Sequence, residues 1–246
     1  MPVERLNPGE FDAEARDESG LRIGGFVPFS TTDYPDQLAA VVFLQGCPWR
    51  CVYCHNPHLI PASGPRHHAW ADILHFLSRR RGLLDAVVFS GGEPTLQSAL
   101  FAAARQAKSM GFRIGLHTGG MYPQRLAKIL PLLDWVGLDV KAPEHAYDRI
   151  TGVVDSGHAA FESLERIVAS GVDYELRCTW HPELLSAADL GEMADRLIGA
   201  GADRLAIQIY RAAGNTGTLP HIDTGDLRPG NFGSLAKRLR QFTIRK

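Results

Sequence analysis

Two kinds of hydrophobic spacing take turns along this 246-residue chain. Ala39-Ala40-Val41-Val42-Phe43-Leu44 and Ala86-Val87-Val88-Phe89 are apolar without a break, which suits strands covered on both faces. Between them Trp70, Ile73, Leu74 and Leu77 fall at i, i+3, i+4 and i+7, the spacing of one helix face. The same exchange then repeats. Strands are predicted at Phe112–Leu116, Trp135–Val140, Tyr174–Thr179 and Arg204–Ile209. Helices are predicted over about 96–110, through Leu126, Ile129, Leu130 and Leu133, through Phe161, Leu164 and Val168, and through Leu190, Met193 and Leu197. The last opens at Ser186 with Asp189 three residues on, the pattern of a capping box. Upstream, Leu21–Val27 reads as a short strand. Downstream, the chain is expected to close on a helix through Phe232, Leu235, Leu239 and Phe242.

Six strand-then-helix units in succession predict an α/β protein with a parallel sheet, either a barrel or an open doubly wound form. Periodicity does not choose between them. No Gly-x-Gly-x-x-Gly turn follows the first of these strands, which weighs against a dinucleotide-binding doubly wound sheet. Residues 1–20 carry six acidic and two basic side chains and are read as a poorly ordered leader. Residues 21–246 are read as one core domain.

Charge and composition narrow the setting. A formal net charge of −1 offers no footprint for nucleic acid or an anionic membrane. No apolar run approaches a membrane span, and no signal peptide opens the chain, so a cytoplasmic protein is expected. Residues 228–246 hold six basic and no acidic side chains. A solvated helix face accounts for them. Arg79-Arg80-Arg81 ends a predicted helix, where cations suit the dipole, and His67 and His68 read as surface residues.

The chemistry concentrates where the first of these six strands ends. Cys47, Cys51 and Cys54, three of the four cysteines, lie within eight residues at Cys-x3-Cys-x2-Cys spacing. Three is odd and the gaps are short, so they do not all pair as disulfides. In a reducing compartment such a cluster means metal or redox chemistry, and thiolate ligation favours zinc or an iron–sulfur cluster. His55 and His58 stand near enough to complete a zinc site, yet neither makes a familiar zinc spacing.

Cys47-x3-Cys51-x2-Cys54, with aromatic Tyr53 before the last cysteine, resembles the signature of the radical S-adenosylmethionine enzymes. The wider string Gly46–Pro57 is similar to that of the glycyl-radical-enzyme activases. Together with Pro28-Phe29-Ser30-Thr31-Thr32-Asp33-Tyr34-Pro35, it most resembles the activating proteins of anaerobic ribonucleoside-triphosphate reductase. The resemblance implies a partial (β/α)6 TIM-like barrel, open on one side. It implies one 4Fe-4S cluster held by Cys47, Cys51 and Cys54, its fourth iron open to S-adenosylmethionine. It also implies a 5′-deoxyadenosyl radical that takes a hydrogen atom from a glycine of the reductase large subunit. The electron would come from an outside donor such as flavodoxin or ferredoxin.

In parallel α/β folds the site lies at the strand C-terminal ends, and those positions can be read in turn. Ser90-Gly91-Gly92-Glu93-Pro94 follows the next strand, with glycines that admit close backbone approach and a carboxylate suited to an ammonium group. By resemblance, Gly91, Gly92, Glu93 and Pro94 hold the methionyl amino group. Thr118 follows the third strand, beside His117, where related activases often have an acidic residue. Asp139 and Lys141 end the fourth, two residues apart and so on one face. Arg177 lies on the fifth, opposite Cys178, which reads as a small core residue. Tyr53, Thr118, Asp139, Lys141 and Arg177 are the remaining expected adenosylmethionine contacts. After the sixth strand, Gln208, Tyr210, Arg211 and Gly214-Asn215-Thr216-Gly217 suit either an adenine contact or a capped barrel edge.

Two other assignments stay open. One is an activase of another glycyl radical enzyme such as pyruvate formate-lyase, or a small-molecule radical enzyme such as a deazapurine synthase. The other is an electron carrier or zinc module, which requires neither the Gly-Gly-Glu-Pro run nor the Asp139/Lys141 pair.

Overall fold

The structure is a computed structural model that describes residues 20–64, 68–212, 219, 220, 222 and 232–245. The expected leader, residues 1–19 of it, lies outside the described residues, as do His67 and Gly214–Gly217. Among the described residues one sheet of eight strands runs in sequence order, β1 Ile23–Ser30, β2 Ala39–Leu44, β3 Ala86–Gly91, β4 Arg113–Thr118, β5 Trp135–Asp139, β6 Asp173–Trp180, β7 Arg204–Ile209 and β8 Gln241–Arg245. β1 pairs antiparallel with β2, and every later neighbour pair is parallel. Helices α1 Trp70–Ser78, α2 Leu100–Ser109, α3 Pro123–Ile129, α4 Tyr147–Thr151, α5 Ser156–Ser170, α6 Ala187–Gly199 and α7 Gly233–Arg238 fill the connections. No helix among the described residues is long and apolar enough to cross a membrane.

Alternation along the strands sorts the core into two layers. Ala40, Val42 and Leu44, with Val87, Phe89, Val136 and Leu138, pack outward against the helices. Ala39, Val41, Ala86, Val88 and Trp135 form a separate inner cluster with Tyr34. The same alternation turns His117, Asp139 and Arg177 inward at the strand ends, while Cys178 packs outward in the main core. Burial pushes the Cys178 thiol up to about 12. It is a neutral core residue, as expected of it.

All six predicted parallel strands are present. Corrections fall at the margins. The closing helix stops at Arg238, Leu239 turns extended, and Phe242 lies on β8, parallel to β7. A Leu239-to-Phe242 spacing of three suits a helix, but Gln241–Arg245 has strand composition and found a free edge to pair with. The basic residues there are not simply solvated. Arg238 pairs with Asp195, Arg240 with Asp203 at 3.9 Å, and Arg245 grips Glu175 with both amino groups, at 2.7 and 2.5 Å. The helix expected through Leu133 ends at Ile129 and tightens into a 3-10 turn, because Pro131 lacks the donor a further α-turn needs. His68 is half-buried, its ring edge-on to Phe26 at 5.9 Å.

Candidate functional site

The cysteine loop is anchored before it carries any ligand. Gly46 N donates to Leu59 O at 2.8 Å and Cys47 N to Ile60 O at 3.0 Å, so the loop closes on its own return. On its far side Arg50 N bonds Thr151 O at 2.7 Å and Val52 N bonds Ile150 O at 3.0 Å, which ties it to α4. All three cysteines are free thiols edging one cavity, Cys47 buried and Cys51 and Cys54 half-buried. Burial raises the pKa values of Cys47 and Cys51, so a metal must displace their protons on binding. Among the described residues no three His, Cys, Asp or Glu side chains converge on a single ion.

β3 delivers the Gly-Gly-Glu-Pro run to the same cavity, with a division of labour unlike the one expected. A Cβ on Gly91 would stand 2.4 Å from Leu44 N, and one on Gly92 2.2 Å from Gly46 O. Both glycines therefore let this loop lie flush against the start of the cysteine loop, where Glu93 N donates to Gly46 O at 2.9 Å. They still line the cavity. Glu93 does not. Its carboxylate is fully buried and accepts from Thr95 N at 3.0 Å, Thr95 Oγ1, Thr118 Oγ1 at 2.8 Å and Gly119 N at 3.0 Å. Burial lifts its pKa above the usual carboxylate range, against the pull of those bonds. The expected ammonium acceptor is instead a clamp joining the β3 and β4 loops. Pro94, also buried, opens the 3-10 turn behind it.

The inward strand ends supply the charged lining. Arg177 reaches Asp139 Oδ1 through Nε and Nη2, both at 3.0 Å, and Lys141 Nζ stands 3.6 Å from Asp139 Oδ2. Desolvation alone would raise the Asp139 pKa, but the two cations hold it below the usual value. Lys141 is buried to 8 % exposure, yet its pKa is raised, because Tyr53, Cys51 and Asp139 outweigh desolvation. The pair expected from the two-residue spacing is thus formed, with Arg177 as its third member. Thr118 lines the cavity while its hydroxyl serves Glu93. Tyr53 is buried against the cavity, and its hydroxyl has no hydrogen-bond partner.

Other residues of the lining were not singled out from the sequence, among them Trp49, Thr179 and Met121. Thr179 follows Arg177 by two and could have been found by strand alternation. Trp49 carried no such signal. Gln208 reaches the cavity, whereas Tyr210 is buried edge-on to His181 and Arg211 faces solvent. The space enclosed is about 220 Å³. Three thiols on one rim, a glycine-lined wall, an unpartnered buried hydroxyl and fixed charges of both signs suit a metal cluster beside a zwitterionic ligand.

Comparison with known proteins agrees. Residues 41–184 match the radical SAM superfamily. A Methanocaldococcus jannaschii protein carrying the name of a glycyl-radical enzyme activating enzyme is 32% identical over 197 residues, covering 76% of this chain and 79% of its own. The pyruvate formate-lyase 1-activating enzyme of Escherichia coli is 29% identical over 184 residues, covering 70% and 74%. Among solved structures, SuiB of Streptococcus suis bound to its precursor peptide SuiA superposes with a TM-score of 0.67 at 17% identity, over 82% of this chain and 48% of that one. QueE of Escherichia coli gives 0.56 at 16% identity, over 99% and 100%. These two share the fold.

Proposed function

The chain belongs to the radical SAM (S-adenosylmethionine) superfamily, in its glycyl-radical-enzyme activating branch, and we propose that it installs the glycyl radical of an anaerobic ribonucleoside-triphosphate reductase. The family implies a 4Fe-4S cluster and S-adenosylmethionine. When bound, these supply one-electron cleavage of the sulfonium bond and abstraction of a hydrogen atom. The observation that carries the reading is the gathering of Cys47, Cys51 and Cys54 with Asp139, Lys141 and Arg177 around one cavity at the strand ends.

Cys47, Cys51 and Cys54 would hold three irons and leave the fourth to the amino acid end of S-adenosylmethionine. Gly91 and Gly92 would offer that end their backbone, with Glu93 and Pro94 fixing the loop from behind. Asp139, balanced between Lys141 and Arg177, would accept from ligand hydroxyls while the two cations take its carboxylate or ring acceptors. Tyr53 and Thr118 would pack the remaining walls. Flavodoxin or ferredoxin is the electron donor this branch implies. The reductase assignment rests on the Pro28–Pro35 string taken together with the cysteine-loop sequence. Pyruvate formate-lyase is the second reading, favoured by the identity to its activating enzymes.

The test is electron paramagnetic resonance on anaerobically reconstituted, reduced protein mixed with S-adenosylmethionine and each glycyl radical enzyme in turn. A doublet on the reductase, absent with Cys51→Ala, is expected. A doublet on pyruvate formate-lyase alone transfers the assignment. Cleavage of S-adenosylmethionine with neither doublet points to a small-molecule substrate, and an assembled cluster that cleaves nothing overturns the reading.

A further inference from the structure

Lys141 is held in an unusual way. Its Nζ lies 5.8 Å from the ring centroid of Trp49 and 5.6 Å from that of Tyr53. Both rings belong to the cysteine loop, one between Cys47 and Cys51, the other between Cys51 and Cys54. A cation over two ring faces is attracted by both quadrupoles, and here it is also shielded from water. Trp49 itself is wedged. It is 4% exposed, edge-on to Tyr147 at 5.9 Å, and pressed on Gly119, where a Cβ would stand 2.7 Å from Trp49 Cζ3. Tyr147 in turn accepts Lys141 N through its hydroxyl at 3.0 Å. The indole thus touches the loops after β4 and β5 from its seat on the loop after β2.

We propose that Trp49 is a positioning residue for Lys141: seated in the space Gly119 leaves, its indole forms with Tyr53 a π cage that aims the ammonium at the bound S-adenosylmethionine. This rests on the S-adenosylmethionine site proposed above. Trp49 also edges the cavity, and its positioning role is exerted through Lys141. Gly119 is the complement of the indole, because any side chain there would push the ring out of the cage.

Two measurements test this. In the first, S-adenosylmethionine affinity is measured anaerobically by equilibrium binding on reconstituted wild type, Trp49→Phe and Trp49→Leu, alongside iron and sulfide content. Affinity should fall about threefold with Phe and roughly tenfold or more with Leu, at unchanged iron. Equal affinities, a loss of iron that accompanies the loss of affinity, or a loss just as large when Trp49→Leu is made in a Lys141→Met background overturn the proposal. Should Trp49→Leu not fold, the threefold step with Phe carries the same decision. If wild type binds no S-adenosylmethionine, it is the site assignment that has failed.

The second needs no cofactor. Gly119→Ala should lower the melting temperature of the wild-type apoprotein and do so far less in a Trp49→Leu background, where the ring it strikes is gone. Equal drops in both backgrounds would show that Gly119 does not answer to Trp49.

Discussion

Nε2 of His117 stands 2.8 Å from the carbonyl oxygen of Asp33, so it carries the proton and leaves Nδ1 as an acceptor, with Ser90 Oγ 3.4 Å away. The ring lies edge-on to Trp135 at 5.4 Å. Burial, helped by the Arg177 guanidinium, pushes its pKa down to about 3, against the opposing pull of Asp33 and Asp139. His117 therefore presents a neutral imidazole at the cavity wall. The sign of the pH effect follows from this. Below the ordinary histidine value, near 6.5, the unfolded chain takes up a proton that the folded chain refuses until about 3. Stability should fall as pH drops through that window, by at most about 1.4 kcal/mol per pH unit from this group. Urea unfolding of the apoprotein between pH 7 and pH 5 would show it. His117→Gln, which keeps a donor for Asp33, should flatten the slope, and an unchanged slope would mean that His117 protonates freely.

At the scale of elements, most of the fold was written in local pattern. Unbroken apolar runs gave the central strands, and the Ser186/Asp189 capping box forms as its spacing predicts, with both reciprocal bonds in place. Ser186→Ala should cost about 1 kcal/mol in urea unfolding, and no measurable change would mean the cap is dispensable. What escaped the sequence depends on pairings between distant residues. Glu93 looks like a ligand acceptor in isolation. Only the arrival of Thr118 and Gly119, 25 and 26 residues on, turns it into a clamp. β8 depends on the free edge of β7, which no local spacing at Phe242 reports. At the site, the cysteine loop and the Asp139/Lys141 pair were legible because each is local. Trp49 was not, since its worth lies in Gly119 and Tyr147 across other loops.

At the scale of the whole molecule, the cavity needs a floor as well as a rim. Asp33 and Tyr34, in the chain between β1 and β2, do not line the cavity but support its wall residue His117 from beneath. Because β1 runs antiparallel, its connection to β2 lies at the opposite end of the sheet from the cysteine loop, with Ser30 paired to Ala39. The connection folds inward. Tyr34 joins the inner cluster, tilted on Trp135 at 5.3 Å and against Gly115, where a Cβ would stand 3.0 Å from its ring. One residue earlier, Asp33 supplies the carbonyl that holds His117. Within the Pro28–Pro35 string that separates subgroups by resemblance, Asp33 and Tyr34 thus form a plug beneath His117, while Pro28, Phe29, Thr31, Thr32 and Pro35 are exposed. Tyr34→Ala should open a void in the inner cluster and cost about 3 kcal/mol, read from urea unfolding. If the plug also sets His117, the same variant should admit water to the ring and reduce the pH dependence of stability that His117→Gln is expected to flatten. Tyr34→Phe keeps the ring and should leave that dependence intact. A Tyr34→Ala variant that loses stability yet keeps the full slope would confine the plug to packing, and His117 would then be held without the Tyr34 ring, by Asp33, Ser90 and Trp135.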